Sequence, residues 1–234
     1  EITNAGVSRG ASNINSYRMT SYLGRLNYDY AGKYYVSGSF RRDGSSRLSR
    51  DSRWGNFWSV SGSWRLSQEA FMESLSNVIT DAKIRASYGV NGTQPKDYYG
   101  YMGVYEFGYN YNGNGGSSEA RFYNPSLKWE KNYATNIGID LTLFNRLTVS
   151  AEWYNRETKD LLMDKPISAA VGVINSSGVA NMLVNVGSMR NRGFELELKS
   201  TNIQNKDLLW TTSLNIGHNK NKLTKLDGEQ QEII

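Results

Sequence analysis

Cysteine is absent from the 234 residues, and histidine occurs once, at His218. The first absence excludes disulfides, thiolate metal sites and thiol catalysis. The second leaves no multi-histidine metal centre within this sequence. His218 falls in a strand-like run and reads as an ordinary polar strand residue. Long apolar runs are also missing: nothing approaches the roughly 20 residues of a membrane helix, and the mean hydropathy is negative. No charged-then-apolar leader opens the chain. The beginning, EITNAGVSRGASNINS, reads as a loop already in progress, so an interior piece of a longer protein is expected. None of these absences excludes a membrane β-barrel, whose strands alternate lipid-facing and water-facing residues and so average out as polar.

What is present is alternation. In NYATNIGIDLTLFNRLTVSAEWYNRETKDLL (residues 132–162) apolar residues recur at every second position. Tyr133, Thr135, Ile137, Ile139, Leu141 and Leu143 share one strand face, and Ala134, Asn136, Gly138, Asp140 and Thr142 share the other. After a turn at Asn145-Arg146 the pattern resumes with Leu147, Val149, Ala151 and Trp153. A hairpin of a soluble sandwich shows the same alternation with strands of typically five or six residues, whereas both strands here reach the roughly 9 to 11 that cross a bilayer. Both readings remain open on the hairpin alone.

Six further segments bring the expected strands to eight, near 20–30, 34–42, 56–65, 81–91, 132–143, 147–160, 184–200 and 208–219. Expected outward sets include Leu26 and Tyr28, Trp58, Val60 and Trp64, Ile84 and Tyr88, and Phe194, Leu196 and Leu198, with aromatics towards strand ends as in interfacial girdles. Connections alternate between compact links (31–33, 66–80, 145–146, 201–207) and Gly-, Asn- and Ser-rich excursions (43–55, 92–131, 161–183). Short turns at one end and long loops at the other are the habit of outer-membrane barrels. Within the 66–80 link, SQEAFMESLSN reads as one or two helical turns, with Phe71, Met72 and Leu75 capping the barrel end. A lining of Ser, Gly, Asn and Thr is too small to fill a narrow barrel and suits a wide lumen.

The net charge of +5 raises nucleic-acid binding as a class. Placement argues against it: Arg25, Arg41, Arg65, Lys83, Arg85, Arg156 and Lys199 share the polar faces with Asp29, Asp140, Glu152, Glu195 and Glu197. That mixture suits a water-filled wall better than a phosphate-tracking stripe.

Six blocks carry a family resemblance: SFRRDGSSR (39–47), WSVSGSWRLSQEAFM (58–72), KIRASYGVNG (83–92), NPSLKWE (124–130), the hairpin through YNRETKDLL, and NVGSMRNRGFELEL (185–198). In order and spacing, from Ser21 to Leu226, they resemble the barrel of SusC/RagA-type TonB-dependent transporters of Bacteroidetes. The resemblance implies an all-β, antiparallel transmembrane barrel of about 22 strands, of which residues 1–234 would supply about eight, with the plug domain and closing strands outside them. It implies location in the outer membrane of a Gram-negative bacterium and TonB-dependent import of a glycan, oligosaccharide or peptide. The implied partners are a SusD-like surface lipoprotein, the TonB-ExbB-ExbD system acting through a plug and TonB box, and membrane lipid or lipopolysaccharide. No nucleic acid, metal or cofactor is implied, and no catalytic residue.

For binding, the longest loop offers Tyr98, Tyr99, Tyr101, Tyr105, Tyr109 and Tyr111, whose flat faces can stack on sugar rings or pack on a partner. The bland reading is that this segment extends barrel strands above the membrane. NGNGGSS lacks the Lys-Ser/Thr of a phosphate loop and reads as flexible, and DGSSR reads as a tight turn serving folding. Two other functions compete with active import. A passive porin or surface adhesin barrel shares the alternation without TonB coupling. A barrel-borne enzyme fits poorly with one histidine and no serine motif beside an acid-base pair.

Overall fold

The computed structural model describes residues 14–171 and 181–226. Twelve strands follow in chain order: β1 Met19–Tyr30, β2 Tyr34–Ser45, β3 Trp54–Arg65, β4 Ile79–Thr93, β5 Val104–Tyr111, β6 Asn114–Arg121, β7 Glu130–Leu143, β8 Leu147–Lys159, β9 Leu162–Pro166, β10 Asn181–Asn185, β11 Ser188–Gln204 and β12 Leu209–Lys225. Eight of them form one antiparallel sheet in the order β1-β2-β3-β4-β7-β8-β11-β12. The sheet is open, with β1 and β12 at its two edges. These are the eight expected strands. Their neighbours in sequence are their neighbours in space, as an up-and-down barrel wall requires.

Register carries the alternation from strand to strand. One row across the sheet reads Tyr30, Tyr34, Trp64, Ile84, Ile139, Ala151, Leu196 and Ile216. The next row on the opposite face reads Asp29, Tyr35, Ser63, Arg85, Gly138, Glu152, Glu195 and Gly217. A one-residue slip in any ladder would exchange the two faces. Large apolar side chains on the first face stay exposed, among them Leu26, Trp58, Ile137, Trp153 and Leu214. His218 belongs to this face, opposite Phe194, with ring centroids 5.9 Å apart.

Aromatic rings bound the apolar band at both ends. At the short-turn end Tyr34 stacks on Trp64 at 6.1 Å, and Phe71 meets Trp64 edge-on at 6.4 Å. At the long-loop end Tyr22 stacks on Trp54 at 6.1 Å and Trp58 meets Tyr88 edge-on at 5.5 Å. The expected helical turns of the 66–80 link are two 3-10 turns, Leu66–Gln68 and Ala70–Leu75. Phe71 lies against the outward Trp64, so it extends the girdle where a cap over the barrel end was expected.

The tight turns share one construction. Ala31 and Gly32 take φ of 56° and 65°, Phe144 and Asn145 take 53° and 55°, and the bonds Lys33 N to Tyr30 O (3.1 Å) and Arg146 N to Leu143 O (2.9 Å) close both as type I′ turns. The third residue of each turn offers its carbonyl to the next strand, from Arg65 N to Lys33 O and from Thr201 N to Arg146 O, both 2.8 Å. Between β3 and β4 the Glu69 carboxylate ties three elements together. It accepts from Tyr34 Oη at 2.6 Å, Trp64 Nε1 at 3.0 Å and Lys33 Nζ at 3.3 Å.

Three expected boundaries shift. The 184–200 strand divides, because β10 pairs with β9 and Gly187, at φ 77°, separates it from β11. The 201–207 link accordingly shrinks to residues 205–208, where Asn205 Oδ1 accepts from the backbone N of Asp207 and Leu208. The two longest loops also hold strands of their own, β5-β6 and β9-β10.

Two outcomes follow from the sheet. In the intact protein in a bilayer, Ile139→Arg lowers the unfolding free energy by roughly 2 to 4 kcal/mol, whereas Asn215→Arg, opposite Glu197 on the polar face, leaves it within error; denaturant unfolding in liposomes measures both. Hydrogen bonds from Tyr34 and Trp64, then Lys33, hold Glu69 below its ordinary value of 4.5. A carboxyl depressed by folding stabilises above its unfolded value, and that contribution is lost as pH falls through the depressed value. Glu69→Gln therefore removes part of the acid-induced loss of stability, read from melting temperatures between neutral pH and pH about 3.

Candidate functional site

On the polar face Arg41, Arg65 and Arg85 pair with carboxylates close by. Arg85 donates to Asp140 Oδ2 at 3.1 Å and also to Glu152, while Ser150 Oγ donates to Asp140 Oδ1 at 2.7 Å. Arg65 and Ser67 both donate to Asp81 Oδ1, at 2.8 and 2.7 Å. Towards β1 the wall turns to small hydroxyls, with Ser37-Ser61 and Ser39-Ser59 oxygen separations of 2.8 and 2.7 Å. Asn27, Asp29, Tyr35, Ser63, Lys83 and Arg85 line a concavity of about 430 Å³ on this face. All the expected lining charges lie on it, both signs interleaved. Such a wall hydrates a passing solute without holding one charge sign.

Above this wall the long loops form a packed layer. The β3-β4 ladder ends at Trp58-Val90, and the space beyond is filled by Leu48, Phe57, Val90, Leu127 and Trp129, each at most 6 % exposed. Phe57 lies where a Cβ on Gly55 or Gly92 would have to go, so the ring fits only because both positions are glycine. Polar side chains then stitch loop to loop. Ser45 Oγ donates to Gln94 Oε1 (2.7 Å), Ser49 Oγ to Pro125 O (2.7 Å), Trp129 Nε1 to Arg53 O (2.9 Å), and Asn124 Nδ2 to Leu183 O (2.7 Å). Asn185 closes the circuit, accepting from Lys128 N at 2.8 Å and donating to Lys128 O and Asp160 O at 2.9 and 3.0 Å. The DGSSR block is not the tight turn expected: Asp43, Gly44 and Ser45 end β2, paired with β1, and only Ser46 and Arg47 turn; through Ser45 it joins NPSLKWE in holding the layer together.

The six tyrosines separate. The Arg47 guanidinium lies 4.3 Å from the Tyr17 ring centre and 4.6 Å from that of Tyr98, and its Nη1 donates to Pro95 O at 3.0 Å. Tyr98 is thus an anchor of the layer, with Tyr99 beside it at 6.4 Å. Tyr101 packs against the apolar cluster. Tyr105 and Tyr109 stand exposed on the β5-β6 ribbon, and the side chain of Tyr111 lies outside the described residues. Glu106 raises the Tyr109 hydroxyl above its ordinary value, after desolvation, which is the larger cause. Phe107, missing from the sequence reading, is the most exposed of the described ribbon aromatics at 84 %.

The ribbon itself was legible in one dipeptide. Asn112 and Gly113, at φ 52° and 83°, form the tight tip between Tyr111 and Asn114, so the stretch read as flexible is a hairpin turn. Among the described residues, no cluster of side chains is suited to a metal, and no helix is long and apolar enough to cross a membrane.

Residues 2–231 match the family model described as TonB dependent receptor-like, beta-barrel. The chain is 37 % identical over 215 residues to TonB-dependent receptor P39 of Formosa agariphila, covering 92 % of this chain and 20 % of that protein. It is 36 % identical over 221 residues to TonB-dependent receptor SusC of Bacteroides thetaiotaomicron, covering 90 % and 21 %. The chain thus spans about a fifth of the length of these curated relatives. The RagAB peptide importer in its closed-closed state superposes with a TM-score of 0.83 at 32 % identity, over 93 % of this chain and 23 % of that one. The siderophore receptor PirA of Pseudomonas aeruginosa, at 14 % identity and a TM-score of 0.58, shares the fold over 87 % of this chain and 34 % of that one.

Leu127, fully buried between the loops, gives the layer's test. Leu127→Ala costs roughly 2 to 5 kcal/mol of local stability, so amide exchange in 46–53 and 122–129 accelerates while β7 and β8 stay protected.

Proposed function

Because the chain belongs to the TonB dependent receptor-like β-barrel family, whose SusC- and RagA-type members are outer-membrane proteins, we propose that it is a portion of the barrel of an active nutrient importer. The cargo is a large hydrated molecule, an oligosaccharide or a peptide, taken up in partnership with a SusD-like surface lipoprotein. The observation that carries this reading is the division of one continuous sheet into an apolar face banded by aromatics and a polar face of mixed charge, roofed by a loop layer. Such a wall serves passage and not chemistry. Both edges of the sheet need further strands, since unpaired backbone groups in hydrocarbon cost several kcal/mol each. A larger barrel supplies them. Coupling to TonB-ExbB-ExbD is assigned to no residue of this chain.

Tyr105, Phe107 and Tyr109 are the side chains we assign to contact with the cargo or the lipoprotein, because they are exposed on a projecting ribbon while Tyr98 and Tyr101 are engaged within the layer. Tyr99 stands at the margin and Tyr111 follows Tyr109 along the ribbon.

The test is growth of the native host on one oligosaccharide or peptide mixture as sole carbon source. Deleting the gene for the intact protein abolishes growth on the cognate nutrient, and so does deleting TonB. Uptake that persists without TonB would make the barrel a passive porin. In the same assay the double variant Tyr105→Ala/Phe107→Ala reduces uptake or lipoprotein co-purification about tenfold or more. Wild-type behaviour in both would remove the ribbon from the binding surface.

A further inference from the structure

One arginine of the polar face is incompletely used. Arg85 meets two carboxylates, Asp140 through Nε and Glu152 through Nη1. Arg41 meets one. Its Nε donates to Asp43 Oδ1 at 2.6 Å and its Nη2 to Ser21 Oγ at 3.3 Å, while its Nη1 has no partner among the described residues. The pair is unequally placed, with the Asp43 side chain 7 % exposed and that of Arg41 50 % exposed. The carboxylate is set into the wall and the guanidinium stands out from it. A pocket lies beside this pair. Arg41 is opposite Phe57 across β2 and β3, and since the β3-β4 ladder stops at Trp58-Val90, no ladder joins Phe57 to Asn91 just beyond it. The gap is a cavity of about 330 Å³, lined by Arg41 and Asp43 from β2, by Asn91 and Gln94 at the end of β4, and by Phe57 and Trp129. The two rings meet edge-on at 5.3 Å and form an apolar floor.

Donors dominate the polar groups of this pocket. Ser45 Oγ engages Gln94 through Oε1 and leaves its Nε2 free, and the Asn91 amide has no partner among the described residues. Asp43 is the one carboxylate among the lining residues, and it is already bound to Arg41. A neutral hydroxylated group would need free acceptors as well as donors. A carboxylate needs donors alone, and the two Nη groups of a guanidinium match its oxygens as a fork. Arg85, held between Asp140 and Glu152, shows the same use of both edges within this wall. We propose that the pocket is a subsite for a carboxylate borne by the cargo, bound by Arg41, Asn91 and Gln94, with the adjoining carbon frame on Phe57 and Trp129. Its volume lies near the lower end for ligand sites, so it takes one unit of the cargo and not the whole molecule. Two sources supply such a group: a peptide, at its C-terminus or an acidic side chain, and an oligosaccharide that contains uronic acid. The inference rests on the import reading and narrows its cargo to acidic molecules.

The experiment uses the intact receptor in nanodiscs and two pairs of probes, trigalacturonic acid against its methyl ester and an acidic tetrapeptide against its fully amidated form, with binding read by calorimetry. In at least one pair the acid binds about tenfold or more tighter than its blocked form, and that pair identifies the source. Arg41→Gln removes the preference and Arg41→Lys restores part of it. Asn91→Ala, which removes a side chain with no hydrogen-bond partner among the described residues, weakens binding of the acid and leaves the melting temperature unchanged. A purely structural role for the cluster would leave that binding intact. If Arg41→Gln does not fold because Asp43 is left unpaired, Arg41→Gln/Asp43→Asn is read in the same way. No binding in either pair, equal binding of acid and blocked forms in both, or a preference that survives in Arg41→Gln would overturn the subsite. Uptake in cells is scored separately. Uptake that persists without TonB counts against the import reading and leaves the binding result standing, whereas TonB-dependent uptake of acid and blocked probes alike removes the subsite alone.

Discussion

The rest of the structure depends on the fact that a strand in hydrocarbon has no water to bond its backbone. Every N-H and C=O must be met by a neighbouring strand, which demands long, regular ladders in unbroken succession. Antiparallel ladders then impose a side-chain period of two, so a wall that satisfies its backbone acquires two chemically independent faces. Ile139 and Asp140 are adjacent in sequence, yet one joins the row from Tyr30 to Ile216 and the other accepts a hydrogen bond from Arg85. The apolar band, the aromatic girdles and the hydrated wall follow from that division.

Where the constraint ends, the construction changes. Beyond Trp58-Val90 the β3-β4 ladder stops, water and loops become available, and stability passes from backbone ladders to side chains. Phe57 turns into the gap opened by two glycines, Leu127 and Trp129 close over it, and Asn124 and Asn185 satisfy loop carbonyls. A layer fixed in this way can hold the β5-β6 ribbon at a constant place above the wall. The charge pattern obeys the same logic. On the polar face Arg41, Arg65 and Arg85 each find a carboxylate within the wall, and on the opposite face Arg190 meets Glu157.

Much of this was legible in the sequence because the alternation is local. Ile137, Trp153 and Phe194 announce their face from a few residues each, and the row that joins them follows once the turns are placed. The shift of β11 was not legible: alternation runs through Val184 and Val186 without a mark, and only the pairing of Asn181–Asn185 with Leu162–Pro166 reveals the break at Gly187. Nor were the roles of the tyrosines. Tyr98 and Tyr105 look alike in the sequence, and what separates them is Arg47, about fifty positions away and held under Tyr98 by the Pro95 carbonyl. The β5-β6 hairpin had a local signal in Asn112-Gly113 that its glycine-rich surroundings obscured.

The two-faced wall is tested most directly by single cysteines placed at Ala134, Asn136, Ile137 and Ile139 of the intact protein in liposomes. The account predicts that a membrane-impermeant thiol reagent labels the positions at 134 and 136, and that a lipid-dissolved quencher dims fluorophores at 137 and 139 and spares the other pair. Quenching at all four positions, or protection of 137 and 139 from both lipid and water, would contradict it, because the apolar row would then not be a lipid-facing surface.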